Sequence, residues 1–375
     1  MNRKSINIQP SKNIKKYLSS FNNPLYQAEN QIKNKYIFLD KNENPFSPPL
    51  EEISSLINLE LFKNYPDPNS NDFLNRLSLI LEIPSSFLIA GAGSDELLDL
   101  VIRTYSSSKT KILSIEPTFS MYKFYAKINN AKFLTIPLKL SINETSGLAN
   151  FNLDKEIFFR KAKTSDIIIL ARPNNPDGMT ISIEFIEKLL KLNKLIIIDE
   201  AYIDFSYKTS LKDFTKTYQN LIVSRSFSKS FSLAGLRLGY LIVHPSIRDI
   251  LMRVKSPFNV NNMALKIGSI LLNNYNMVST NINKIKQIRE EFYRDLIILR
   301  DKHKKFYLHP SEANFFLLRF QSHEISQSVY QFFLENQIKV RKFETELSDC
   351  LRISIGTSLQ MRKVIKVLKS YFEAN

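Results

Sequence analysis

One lysine stands in a setting that suits covalent chemistry on an aldehyde. Residues 221–240 read LIVSRSFSKSFSLAGLRLGY. Lys229 follows a short apolar run and lies among the hydroxyls of Ser224, Ser226, Ser228 and Ser230, with Arg237 eight positions on. An amine in a partly dry pocket loses its proton near neutral pH and can form a Schiff base. The hydroxyls and the guanidinium suit a phosphate on the same small molecule. Taken alone, the stretch also reads as a serine-rich loop with an ordinary surface lysine.

Two further stretches carry complementary groups. Residues 195–198 form an apolar run that ends in Asp199-Glu200-Ala201-Tyr202, and residues 167–171 form another, followed by RPNNPDG with Asn175 inside it. A carboxylate beyond one buried strand and a lysine beyond another match the needs of pyridoxal phosphate. That cofactor takes a lysine for its aldehyde and a carboxylate that keeps its ring nitrogen protonated. Asp199 is the candidate carboxylate, and Tyr202 and Asn175 can donate to the 3′-oxygen. As single residues they also read as a strand-end acid, a core tyrosine and a turn asparagine.

The segment AGAGSDELLDLVIRTY, residues 90–105, has apolar residues at helical spacing, with Ser94 as the expected N-cap before Asp95 and Glu96. A Gly-x-Gly-Ser turn opening a helix presents N–H groups to an anion. The G-K-[ST] ending of a Walker loop and the third glycine of the dinucleotide fingerprint are both missing. A phosphate cup at Gly93, Ser94 and Asp95 remains, beside the plainer reading of a helix start.

These turns need strands and helices to carry them. Strand-like runs at 111–115, 167–171, 195–198, 221–223 and 241–243 alternate with helical patterns at 121–128 and 182–193. The alternation predicts an α/β fold with a mainly parallel central sheet, whose ligand lies beyond the carboxyl ends of the strands. A helix is expected over residues 50–62. A connecting helix over 261–282 and a long charged helix over 281–304 lead into a smaller α/β domain. There, strands at 314–319, 338–343 and 351–355 accompany helices at 325–335 and 358–372. The expected division is an arm at 1–40 that joins the small domain, a large domain at 41–260 and a small domain at 261–375.

Composition sets limits. The chain has 375 residues, one cysteine (Cys350) and four scattered histidines, so neither an internal disulfide nor a metal cluster is expected. The net charge of +16 is dispersed along the chain, which reads as solvated basic faces rather than a nucleic-acid surface. No apolar run approaches the ~20 residues of a membrane span. Residues 1–28 read as an irregular arm rather than a transit or secretory leader. A cytoplasmic setting is expected. Only eight glycines occur, and six of them fall in the segments that carry the motifs.

The chain resembles the fold type I pyridoxal-phosphate aminotransferases, and among them the histidinol-phosphate aminotransferase family. LDKNENPFSPP, YPDP, GAGSDELLDLVIR, EPTFSMYKFYA, RPNNPDG, IIIDEAYIDFS, SRSFSKSFSLAGLRLGY, KSPFNVN, PSEANFFLLRF and CLRISIGT occur in the family's order over about residues 36–360. The resemblance implies that Lys229 holds the cofactor and moves the substrate proton, and that Asp199 pairs with the ring nitrogen. It implies that Tyr202 and Asn175 bond the 3′-oxygen, while Ser226, Ser228, Arg237 and the turn at Gly93, Ser94 and Asp95 hold the phosphate. Phe119 takes the ring-stacking position. Tyr65 reaches the cofactor phosphate of a neighbouring subunit, so a homodimer is implied. Arg352 binds the α-carboxylate, and Arg341, Tyr26 and Asn42 are further substrate ligands. Asp177 departs from the family's usual threonine in its turn, and the Arg341–Arg352 spacing varies within the family.

The implied reaction moves an amino group between L-glutamate and imidazole-acetol phosphate, giving L-histidinol phosphate and 2-oxoglutarate. The alternatives are a threonine-phosphate decarboxylase, an aromatic-amino-acid aminotransferase and, from another class, a basic nucleic-acid-binding protein.

Overall fold

The computed structural model describes residues 36–48 and 63–374. The helix expected over residues 50–62 and the expected ligand Tyr26 lie outside the described residues.

Alternating apolar runs and amphipathic stretches set the order of elements. After β1 (Ile37–Leu39) and α1 (Asn71–Leu81) come β2 (Leu88–Gly91), α2 (Gly93–Tyr105), β3 (Lys111–Glu116), α3 (Met121–Ile128) and β4 (Lys132–Pro137). A hairpin of β5 (Lys139–Asn143) and β6 (Leu148–Asn152) precedes α4 (Lys155–Lys163). Next are β7 (Ile167–Ala171), α5 (Ile183–Leu190), β8 (Leu195–Asp199), β9 (Leu221–Ser226) and β10 (Gly239–Val243). Helices α6 (Pro245–Val254), α7 (Asn262–Asn273) and α8 (Tyr275–His303) lead to β11 (Phe306–His309) and β12 (Phe315–Phe320). The chain closes with α9 (His323–Glu335), β13 (Ile338–Lys342), β14 (Cys350–Ser354) and α10 (Ser358–Ala374).

The first sheet has the order β2-β10-β9-β8-β7-β3-β4. Strands β9, β8, β7, β3 and β4 are parallel, and β10 runs antiparallel to both its neighbours. Its middle is apolar because both faces are covered. Ile167, Ile169 and Ala171 share one core with Leu97, Val101 and Tyr122. Ile168 and Leu170, on the other face, share theirs with Phe185, Ile186 and Leu189 of α5. Each buried Ile, Leu or Phe among them contributes about 1.5–3 kcal/mol by burial. The strand order reverses between β3 and β7, where a doubly wound sheet opens a crevice at its carboxyl ends. Register pairs Ala171 with Asp199 and Asp199 with Ser224, so three strand ends line up there.

The second sheet runs β1-β13-β14-β12-β11-β6-β5. It draws the hairpin β5–β6 from the middle of the chain, although those residues fall between strands of the first sheet. The reason lies in β6, where buried Ala149 and Phe151 alternate with exposed Asn150 and Asn152. Phe151 stacks on His309 of β11 at 4.8 Å, which seats the hairpin on that edge.

Among the boundaries that differ from the sequence expectation, three have a plain physical cause. Ser94 is the second residue of α2 and not its cap; Ala92 is the cap, and Glu96 accepts the Ala92 N–H at 2.5 Å. Strand β9 continues past Val223 to Ser226 because β10 pairs with it that far. The connecting helix stops at Asn273, where the Asn274 amide donates to the Ile270 carbonyl at 3.1 Å and α8 begins anew. Among the described residues, no helix is long and apolar enough to cross a membrane.

Candidate active site

The lysine-bearing turn follows β9 and is anchored by its aromatic residues. Phe227 is fully buried and stacks on Phe231 at 4.0 Å, with Phe73 and Tyr240 against its other sides. Phe227 donates its N–H to Leu238, and Leu233 donates back to Phe227. The half-buried Lys229 sits between these two anchors, and its Nζ donates to the Lys41 carbonyl at 2.7 Å. Burial brings this amine down to about 8, and the nearby Arg352 and Arg237 guanidiniums act in the same direction, against Glu43 and Asp95. Ser232, which had no expected role, donates to the Phe46 carbonyl at 2.7 Å and ties the turn to the segment 40–48.

Asp199 ends β8 and is 6% exposed. Burial pushes its carboxyl up to about 6, held back by two donors: the Tyr122 hydroxyl at 2.8 Å and the Ala201 amide at 3.1 Å. Tyr122 was not anticipated. The available signal was its place on the buried side of α3 with Tyr125 and Ala126, since a buried tyrosine hydroxyl needs a partner. Phe119 packs edge-on against Tyr122 with ring centres 5.5 Å apart.

The start of α2 is the candidate anion cup. Gly93 has φ +86°, and a Cβ there would lie 2.6 Å from Arg237 Nη2. A Cβ on Gly239 would lie 2.6 Å from the Ser94 amide nitrogen, so β10 can pass the helix end only as glycine. The first-turn N–H groups of α2 have no intrahelical acceptor. Arg237, itself at φ +53°, donates to Ser228 Oγ at 3.2 Å and to Asp95 Oδ2 at 3.0 Å. The Ser228 amide donates to Ser226 Oγ at 3.1 Å. Hydroxyls, guanidinium and helix end therefore converge on one spot.

A second cation closes the other side. Arg352 of β14 is buried, donating to Asn175 Oδ1 and, at 2.8 Å, to the Asp40 carbonyl. Its Nε is buried without a partner, and burial lowers the guanidinium to about 10. Arg341 faces it across the β13–β14 pair, and both guanidiniums lie 6.0 Å from the Phe343 ring centre. Tyr202 accepts from Asn42 Nδ2 at 3.1 Å. Tyr65 does not join this cluster within one chain: it is 82% exposed and stacks on Phe258 at 4.8 Å.

The turns after β3 and β7 are tied together, with Thr118 donating to Asn174 at 2.7 Å and Asn174 to the Pro117 carbonyl at 3.1 Å. Asp177 lies fully in the latter turn, and burial pushes its carboxyl up to about 7 despite a 2.7 Å bond from Asn174.

These features fit pyridoxal phosphate. The lysine is partly deprotonated, the buried carboxyl gains most from a cationic ring nitrogen, and the glycine-lined cup leaves room for a phosphate. Fold and site together define a pyridoxal-phosphate-dependent aminotransferase. Residues 34–368 match the family described as aminotransferase class I and II. The chain is 32% identical to the histidinol-phosphate aminotransferase of Pyrococcus furiosus over 340 residues, 90% of this chain and 93% of that protein. It is 35% identical to histidinol-phosphate aminotransferase 1 of Carboxydothermus hydrogenoformans, over 88% of this chain and 92% of that one. The solved structure of histidinol-phosphate aminotransferase from Sinorhizobium meliloti in complex with pyridoxal-5′-phosphate shares the fold. Its TM-score is 0.78 at 19% identity, covering 90% of this chain and 91% of that one. The chain belongs to the class I and II aminotransferases and, within them, to the histidinol-phosphate aminotransferase family.

Proposed function

We propose that this enzyme transfers an amino group from L-glutamate to imidazole-acetol phosphate, giving 2-oxoglutarate and L-histidinol phosphate in histidine biosynthesis. The observation that carries the reading is a pair of arginines, Arg352 near Lys229 and Arg341 beside Arg352. Buried Arg352 keeps an unpartnered Nε, and Arg341 lies opposite it across the strand pair. One guanidinium suits the carboxylate of the donor and the other the phosphate of the acceptor, so two unlike substrates can use one site in turn. The names of the relatives support the same reading.

In this reading Lys229 holds the cofactor aldehyde and, once released by substrate, moves the proton at the substrate Cα. Asp199 keeps the ring nitrogen protonated, with Tyr122 and the Ala201 amide holding its two oxygens. Tyr202 and Asn175 face the 3′-oxygen, and Phe119 stacks on the ring. Ser226, Ser228, Arg237 and the turn at Gly93, Ser94 and Asp95 hold the phosphate. Pyridoxal phosphate supplies the electron sink for the Cα bond that ionises. We infer that the enzyme is a cytoplasmic homodimer in which Tyr65 completes the partner's phosphate site. Its exposure on the surface, stacked with Phe258, supports that role. The domain division at residues 40/41 and 260/261 belongs to the same proposal, with residues 139–152 attached to the second lobe's sheet.

A substrate panel tests the activity. Amine transfer from glutamate to the imidazole ketone is expected, with little carbon dioxide released from threonine phosphate. Release without transfer would replace the reading with a decarboxylase.

A further inference from the structure

Asn42 stands among the substrate ligands that the family resemblance implies, yet each of its four polar atoms is engaged by the protein. It is 1% exposed and adopts φ +54°. Ser354 Oγ takes the Asn42 backbone N–H at 2.9 Å and donates its own proton to Asn42 Oδ1 at 3.0 Å. The Asn42 carbonyl accepts from Asn314 Nδ2 at 3.1 Å. The left-handed backbone lets main chain and side chain meet the same serine, a conformation that asparagine tolerates better than most residues. With Oδ1 taken, Nδ2 is the atom that faces Tyr202, at 3.1 Å.

An amide nitrogen only donates. The Tyr202 oxygen is therefore the acceptor in this pair, and its own proton has to point elsewhere. One side of its ring is closed by Phe315, packed edge-on with centres 5.2 Å apart. We propose that Asn42, locked by Ser354, is a positioning residue that fixes the Tyr202 hydroxyl as a hydrogen-bond donor toward the 3′-oxygen of the cofactor. The inference rests on the assignment of Tyr202 to that oxygen and goes beyond it: Asn42 orients a proton and binds no substrate.

The test is the pH titration of the visible absorbance of the cofactor-loaded enzyme without substrate. A bond donated to the 3′-oxygen stabilises its negative charge, so losing it makes the neighbouring nitrogen of Lys229 hold its proton to higher pH. Tyr202→Phe should raise the midpoint by about one unit. Asn42→Asp keeps the shape but presents only acceptors, turning the tyrosine proton away from the cofactor; a comparable rise is expected. Ser354→Ala, which frees the amide to turn over, should give a smaller rise in the same direction. In the Tyr202→Phe background, Asn42→Asp should add far less. No shift in Tyr202→Phe would overturn the assignment of Tyr202 and the proposal with it. A shift in Tyr202→Phe but none in Asn42→Asp would overturn the proposal alone. So would an equal Asn42→Asp shift in both backgrounds, which would report only an added negative charge.

Discussion

The hydroxyl of Tyr122 on α3 donates to Asp199 Oδ2 at the end of β8, 2.8 Å away, with both residues buried. This bond lowers the carboxyl against the upward push of burial. Tyr122→Phe should therefore raise the Asp199 pKa and move the acidic limb of cofactor binding to higher pH. Fluorescence titration of the cofactor-free protein between pH 5 and 8 on the pyridoxal phosphate scale reads this as weaker binding near pH 6, where Asp199 titrates. An unchanged profile would remove the bond from the account of the site.

Asp199 also makes a stability prediction. Its folded pKa of about 6 lies above the ordinary value of 3.8, so the folded cofactor-free protein binds the proton more tightly than the unfolded chain. Stability therefore falls as pH rises from about 4 to about 6. Two pK units correspond to about 3 kcal/mol as an upper figure. Asp199→Asn should lack that fall in denaturant titrations, yet lose most turnover when loaded with cofactor.

Lys229 is lowered to about 8, and the neutral amine is the form that attacks an aldehyde. Cofactor capture by the free protein, followed by absorbance in stopped flow, should accelerate with pH and level off just above 8. A plateau only above about pH 10 would mean an ordinary exposed lysine. Lys229→Ala should lower turnover by about 10²–10⁴-fold while leaving the fold intact.

The two arginines should separate the half-reactions. Arg352→Gln removes a buried charged donor, worth about 1.5–3 kcal/mol, so kcat/KM for glutamate should drop roughly 10- to 100-fold. Arg341→Gln should weaken the phosphorylated ketone more than glutamate. Single-turnover absorbance changes with each substrate give the two effects independently, and equal losses in both halves would refute the division of labour.

Tyr65 yields a test by subunit mixing. Tyr65→Ala and Lys229→Ala proteins are each expected to be impaired. A mixed dimer holds one site with the lysine from one chain and the tyrosine from the other. Refolding the two together should give more activity than either alone; no gain would place Tyr65 outside its partner's site.

Much of the site was legible because its chemistry sits in turns with few alternative uses. Lys229 follows a buried strand and Asp199 ends another, so apolar runs placed both residues near strand ends, although β9 runs on past its apolar run to Ser226. Gly93 was legible because glycine is scarce here and the turn needs φ +86°. Tyr122 was hidden because a helical period reports which side is buried, not which hydroxyl meets a carboxylate from another strand. The Asn42–Ser354 lock was hidden for a different reason: its partners are 312 residues apart, and only the pairing of β1, β13 and β14 brings them together. Ser94 is not the cap because the helix opens one residue earlier, at Gly93, and Glu96 accepts the N–H of Ala92 ahead of it. Hairpin β5–β6 left no sequence mark of which sheet it would join, since alternation shows a half-buried strand without naming its neighbour.

That hairpin bears on how the chain can be cut. A fragment starting at residue 261 would lack β1, β5 and β6, three of the seven strands of its sheet. It would expose the unpaired edges of β11 and β13, which are templates for aggregation. The two lobes should therefore melt in a single cooperative transition, and neither is a candidate for separate expression.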